Sequence, residues 1–168
     1  MVHFIKYTAI VVFSLVWQSC GVYSFTGASI SPEIKSVTVN TFENRSQNGS
    51  VELSQLLTNE LKDKFIRETD LRMVDFNGDI EFTGTIVNYQ LSGQAPTGDQ
   101  TTAAQRLTIG VSVEYFNNKE EGKGYKTTFS RFAEFDDSQS FENVKDELYN
   151  DIFEQLAIEI FNKALVNW

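Results

Sequence analysis

Arg106-Leu-Thr-Ile-Gly-Val-Ser-Val-Glu-Tyr-Phe116 alternates strictly, with Leu107, Ile109, Val111, Val113 and Tyr115 on one parity and Thr108, Gly110, Ser112 and Glu114 on the other. Successive side chains of a strand point to opposite faces, so this stretch is a strand with one buried side and one polar side. Downstream, Asn117 to Gly124 is charged and glycine-bearing and reads as a hairpin connection into a strand from Tyr125 to Phe135. Gly122-Lys-Gly124 within it is too short for a phosphate loop and is a turn. Upstream lies a long strand from Ile80 to Leu91. Its apolar residues begin on one parity (Ile80, Phe82) and become ambiguous further on (Ile86, Val87, Tyr89, Leu91), which predicts a bulge or bend near Gly84. The connection from Ser92 to Gln105, about 14 residues, is long for a hairpin loop and is expected to be functional or disordered.

Working further out, Leu71 to Val74 is a short strand, and Asn77-Gly78 is a tight-turn signal. Residues 51–68 place Leu53, Leu56, Leu57, Leu61, Phe65 and Ile66 at helical spacing between charged residues, an amphipathic helix. A polar loop, Asn44 to Ser50, separates it from a β-branched strand over Lys35 to Phe42. Near the other end, Val144, Leu148, Ile152, Leu156, Ile160 and Ala164 recur every fourth residue, widened by Phe153, Ala157 and Leu165. They predict a helix from about Ser140 to Val166, roughly 37 Å long at 1.5 Å per residue. One-sided strands and one-sided helices together define an α+β fold. It is a two-layer α/β sandwich, with two helices packed on one face of a mostly antiparallel (mixed) sheet and the other face left to water or a partner. The first strand, followed by a crossover helix, is expected to lie parallel to a later neighbour.

The N-terminal stretch has a different character. Residues 1–8 carry Lys6 and no acid, residues 9–17 are almost wholly apolar, and Gln18-Ser19-Cys20-Gly21 follows. This is the layout of an export signal, and its apolar run is about half the roughly 20 residues that span a bilayer. Cys20 is the sole cysteine. Ser19-Cys20 resembles the lipobox of bacterial lipoproteins, although Trp17 stands where an aliphatic residue is usual. An unpaired thiol in an oxidising compartment is a liability that acylation removes. The expected division is therefore a cleaved signal peptide over 1–19, a lipidated tether over 20–34 and one domain over 35–168. The mature chain would hold 149 residues, with 13 Lys and Arg against 23 Asp and Glu, a formal charge of −10. That balance disfavours nucleic acid, whose binding rests on clustered cations.

The one histidine, His3, falls in the expected signal, so the remainder has no histidine and no free thiol. Ser-His-Asp and Cys-His catalysis and the usual zinc sites are excluded, and the chain reads as no enzyme. Asp75-x-Asn77-x-Asp79 begins like a calcium loop, but Ile80 and Ile86 stand where glycine and glutamate are required. Asn44-Arg-Ser46 and Asn48-Gly-Ser50 match the glycosylation sequon and read as loop composition.

Several segments in order, Cys20-Gly-Val-Tyr-Ser-Phe-Thr-Gly27, Val37-Thr-Val-Asn-Thr-Phe-Glu-Asn-Arg45, Arg106 to Val113, Phe129-Ser-Arg-Phe-Ala133 and Ile160 to Trp168, resemble the lipopolysaccharide-assembly lipoprotein (LptE-like) family of Bacteroidetes-type bacteria. The resemblance implies an α/β sandwich, lipid-anchored on the periplasmic side of the outer membrane by diacylglyceryl and acyl groups on Cys20. It further implies a partner, an LptD-like β-barrel translocon that the protein plugs, with lipopolysaccharide as the cargo and no other cofactor. Among the residues themselves, Arg106, Lys123, Lys126 and Arg131 sit on or beside adjacent strands and are the candidate contacts to lipopolysaccharide phosphates. Scattered surface cations on an acidic domain are the competing explanation. A lipid-anchored module binding a soluble ligand or glycan, without a barrel partner, is the functional alternative.

Overall fold

The computed structural model describes residues 30–94 and 104–165. The expected signal, Cys20 and most of the tether lie outside the described residues. In chain order the elements are β1 (Ser36–Val39), β2 (Glu43–Asn44), α1 (Glu52–Glu68), β3 (Arg72–Met73), β4 (Ile80–Gln94), β5 (Ala104–Asn117), β6 (Tyr125–Asp136) and α2 (Phe141–Leu165). The strands form one sheet in the order β3-β1-β4-β5-β6, with β2 pairing β4 beyond the end of β1. β1 runs parallel to both β3 and β4, as the crossover helix requires, and β4-β5-β6 is an antiparallel meander. Both helices pack on one face, α1 over β1, β2 and β3 and α2 over β5 and β6, and they touch each other. The observed architecture is the expected α+β sandwich.

The alternation in β5 is obeyed residue for residue. Leu107, Ile109, Val111, Val113 and Tyr115 are buried beneath the helices, while Thr108, Ser112 and Glu114 are half-exposed on the other side. On β4, Ile80, Phe82, Gly84 and Ile86 face inward, and then the parity changes. Ile86 pairs with Val111 but Asn88 pairs with Gly110, so Val87 is the extra residue of a bulge. Tyr89 is thereby turned inward, where its hydroxyl meets that of Tyr149 on α2 at 2.9 Å. The irregularity expected near Gly84 is at Val87. Gly84 has another role: a Cβ there would lie 2.3 Å from Cε1 of Phe42, whose ring occupies that space in the core.

Phe42 also explains why the first strand is shorter than its composition suggests. β1 stops at Val39, the chain turns Phe42 down onto Gly84, and pairing resumes at Glu43–Asn44 against Thr85 and Ile86. The Phe42 amide donates to the buried Thr58 hydroxyl of α1 at 3.0 Å, which itself donates to the Ser54 carbonyl at 2.6 Å. Rings then connect every layer. Tyr125, Tyr115, Phe82, Phe65 and Phe161 form a chain of contacts with centroids 5.0–5.1 Å apart, running from β6 through β5 and β4 to α1 and α2. Such tilted pairs add to the area burial of each ring.

Two further expectations are corrected. Ile66 belongs to the helical stripe in sequence but is 60% exposed near the end of α1. The 92–105 connection is shorter than expected, because Ser92, Gly93 and Gln94 pair with Arg106, Gln105 and Ala104. Polar composition concealed this part of the ladder, and residues 95–103 lie outside the described residues. Asn77-Gly78 makes the expected turn, with Asn77 at φ 54°, and the turn joins strands that do not pair with each other. β3 and β4 flank β1 on opposite sides, so residues 74–79 cross the face of β1 away from α1. There the Gly78 amide donates to Thr38 Oγ1 at 3.0 Å, and Asp79 Oδ2 accepts from the Lys35 amide at 2.8 Å and from the Ser36 amide and hydroxyl at 3.0 Å each. Lys119 contacts the other carboxylate oxygen at 3.1 Å.

These donors, the Lys35 amide foremost and then the Lys119 ammonium, hold the Asp79 carboxyl down from its ordinary 3.8 to about 2. A depressed carboxyl pKa stabilises the fold above its unfolded value, and that contribution disappears as pH falls through the folded value. Asp79→Asn is therefore expected to lower the unfolding midpoint at pH 7 and to converge with the parent near pH 2, as read by denaturation across that range. For the Phe42 contact, Gly84→Ala is expected to destabilise by about 1–3 kcal/mol through overpacking. In a Phe42→Ala background the same change costs much less, a coupling that urea titration of the four proteins measures.

Candidate functional site

With both helices on one side, the opposite face of β4-β5-β6 is left uncovered among the described residues. Its composition follows from parity. Across the middle run Thr85, Ser112 and Thr128, then Asn88, Gly110 and Ser130, then Gln90, Thr108 and Phe132, each row paired through the ladder. Charges are confined to the two ends of this band. At one end Glu114 on β5 pairs with Lys126 on β6 at 3.4 Å. At the other, Arg106 Nε donates to Glu134 Oε1 at 2.9 Å, and its guanidinium stacks over the Phe132 ring at 4.1 Å from the centroid. The face is thus a strip of hydroxyls and amides between two rows of internally paired charge. Phe116, Phe132 and Val87 are its exposed apolar residues, at 43%, 48% and 48%.

The four cations singled out from the sequence do not converge. Arg106 and Lys126 share the open face, but Lys126 and the Glu134 that faces Arg106 are eight residues apart on β6, about 27 Å at 3.4 Å per residue. Lys123 lies in the β5–β6 turn, 4.0 Å from Glu120. Arg131 points the other way: it pairs with the inward-facing Ile109 and reaches Glu159 of α2 at 2.9 Å. Each has an acidic neighbour, so no shared anion pocket is built from them. The Arg131 contact instead ties α2 to the sheet, and it encloses a carboxylate oxygen with no well-aligned hydrogen bond. Phe132 and Glu134, which set the position of Arg106, were not singled out. Their signal is an aromatic residue and an acid on the same parity as Thr128 and Ser130.

Burial pushes the Tyr89 and Tyr125 hydroxyls up, with the Tyr149 contact adding to the effect at Tyr89, so both stay protonated. Asn44 Oδ1 accepts from the Ser46 amide at 2.9 Å and hydroxyl at 2.6 Å, so the first sequon forms a local turn. Among the described residues no cluster of three His, Cys, Asp or Glu is placed to hold a metal, and no helix is long and apolar enough to cross a membrane.

These features coincide with a family assignment. The family model described as lipopolysaccharide-assembly, LptE, matches residues 34–164, which is nearly all of the described fold. The chain belongs to this family, and its role lies in lipopolysaccharide assembly. No curated protein sequence matches the chain. Among solved structures, the 1.65 Å structure of protein CT253 from Chlamydia trachomatis is similar with a TM-score of 0.52 at 9% identity, covering 80% of this chain and 99% of that one. A neuraminyllactose-binding hemagglutinin homologue from Helicobacter pylori is similar with a TM-score of 0.50 at 8% identity, covering 82% and 87%. At such identities the likeness is one of fold.

If Arg131 is a tie between layers and not a ligand contact, Arg131→Ala leaves the Glu159 oxygen enclosed without its cation. The expected cost is about 1 kcal/mol in chemical denaturation, and partner association should be unchanged.

Proposed function

We propose that the mature protein is a lipoprotein held on the periplasmic side of the outer membrane by diacylglyceryl and acyl groups on Cys20, and that it plugs an LptD-like β-barrel translocon. There it assists delivery of lipopolysaccharide to the outer leaflet, and it performs no catalysis. The observation that supports this most is the uncovered strip of Thr, Ser, Asn and Gln across β4-β5-β6, bounded by charges that already pair within the sheet. Barrel interiors are polar, so such a strip exchanges water for wall hydroxyls and amides without stranding a bare charge. Two or more acyl chains make a stable anchor where one is marginal.

Lipopolysaccharide phosphates, in this account, are met by single cations together with groups of the barrel. Arg106 and Lys126 on the open face, and Lys123 in the adjoining turn, each meet a phosphate singly by sharing or exchanging the acidic neighbour that each now has. The acidic balance of the chain agrees with contact shared in this way.

Extraction of the native membrane in mild detergent tests the proposal. A stoichiometric high-mass β-barrel protein is expected to co-purify, and Cys20→Ala should release the protein from the membrane fraction. Recovery without any barrel protein would instead favour the module that binds a soluble ligand or glycan.

A further inference from the structure

At the end of the sandwich where α2 stops, its last turn, the start of β6, the β5–β6 turn and the residues leading into β1 enclose a cleft of about 300 Å³. Tyr115 is 3% exposed, and its hydroxyl accepts from Asn117 Nδ2 at 3.3 Å, yet its own proton has no acceptor among the described residues. A buried hydroxyl in that state forgoes the hydrogen bond that water would supply. The Tyr125 hydroxyl reaches only the Ile160 carbonyl, at 3.5 Å. Burial pushes both hydroxyls up, so both keep their protons. Lys163 stands 5.2 Å from the centre of the Tyr125 ring and is paired with no carboxylate among the described residues. Lys123 and Glu120 are the other charges here, 4.0 Å apart, and Glu120 also accepts from Asn117 Nδ2 at 3.2 Å. The cleft is thus left with one unmatched positive charge and two hydroxyls in need of an acceptor.

We propose that this cleft binds the phosphodiester headgroup of a glycerophospholipid, with Lys163 as its counter-charge and the Tyr115 and Tyr125 hydroxyls donating to the phosphate oxygens. One unpaired ammonium matches the single negative charge of a diester, and donors aimed at a charged oxygen make the stronger class of hydrogen bond. Ile30, Ile34 and Leu165 offer apolar surface to the glycerol and the first methylenes. The volume is at the lower limit of small-ligand pockets, enough for one small headgroup and too little to enclose a phosphorylated disaccharide. That the phosphate belongs to a membrane lipid rests on the anchor reading. Cys20 is ten residues from Ile30, a span of at most about 35 Å, so the cleft lies within reach of the leaflet that holds the acyl chains. The site occupies the end of the sandwich and leaves the open face of β4-β5-β6 to its own partner.

Calorimetric titration of the full lipidated chain, held in maltoside micelles, with dihexanoyl phosphatidylglycerol tests the proposal. Saturable binding is expected, and Tyr115→Phe and Lys163→Gln should each weaken it about tenfold. In the unaltered chain the same lipid should slow acetylation of Lys163, read by mass spectrometry, with Lys62 and Lys145 unaffected. Three other ligands fix the source: dihexanoyl glycerol lacks the phosphate, inorganic phosphate lacks the glycerol, and lipopolysaccharide carries its phosphates on a saccharide. Each is expected to protect Lys163 about tenfold less at the same concentration. Absence of saturable binding, the result if residues before Ile30 or after Leu165 fill the cleft, would overturn the proposal. So would binding that survives both substitutions, or equal protection by any of the three other ligands. If Cys20→Ala still releases the protein from the membrane fraction in those cases, the anchor stands and only this site is lost.

Discussion

Side-chain parity along β5 sets the direction in which every neighbouring element faces. Five apolar residues on one side must be covered, and α2, which packs over β5 and β6, brings buried apolar residues from Leu148 to Leu165 to that side. Once β5 is oriented, its ladders with β4 and β6 fix the inward residues of both neighbours, because a slip of one residue would exchange the core for the solvent face. The bulge at Val87 serves the same constraint. It restores inward parity for Tyr89 after the strand has passed the end of β2, so that the Tyr89–Tyr149 contact closes the far end of the sandwich. The Phe42 ring over Gly84 packs the same inner side nearer the start of that strand.

The price of coverage on one side is exposure on the other, and the sequence handles that exposure by composition. Hydroxyl and amide side chains occupy the centre of the open face, and the charges at its ends are satisfied within the sheet. A face of this kind neither aggregates through an apolar patch nor repels a polar wall. It suits lodging inside another protein better than gripping a charged ligand, and it agrees with membership of a lipopolysaccharide-assembly family. The loop over β1 reinforces the asymmetry. Residues 74–79 cover Ser36 and Thr38 on the side where no helix lies, with Asp79 satisfying the amides at the start of β1.

Much of this arrangement was legible in the residues. The strict alternation of β5 and the four-residue recurrence in α2 each have only one physical solution, and both elements fall within two residues of their expected limits. What escaped was governed by contacts distant in sequence. Asn77-Gly78 announces a turn, but whether the strands around it pair with each other or straddle a third depends on β1, some forty residues earlier. The break in β1 depends on the space above Gly84 and on the Thr58 hydroxyl. The ladder beyond Leu91 was hidden because no helix covers its inner side there, so no apolar alternation marks it. The four candidate cations are grouped by their place on or beside adjacent strands, whereas parity sends Arg131 to the helices and the length of β6 separates Arg106 from Lys126.

The central claim, that the open face of β4-β5-β6 is the surface engaged by an outer-membrane barrel, is tested most directly by a photo-crosslinking amino acid placed in living cells at Thr85, Thr108 and Ser112. The account predicts adducts from all three positions to one and the same high-mass β-barrel protein. Absence of any adduct from these positions, in a protein that is folded and membrane-retained, would contradict it.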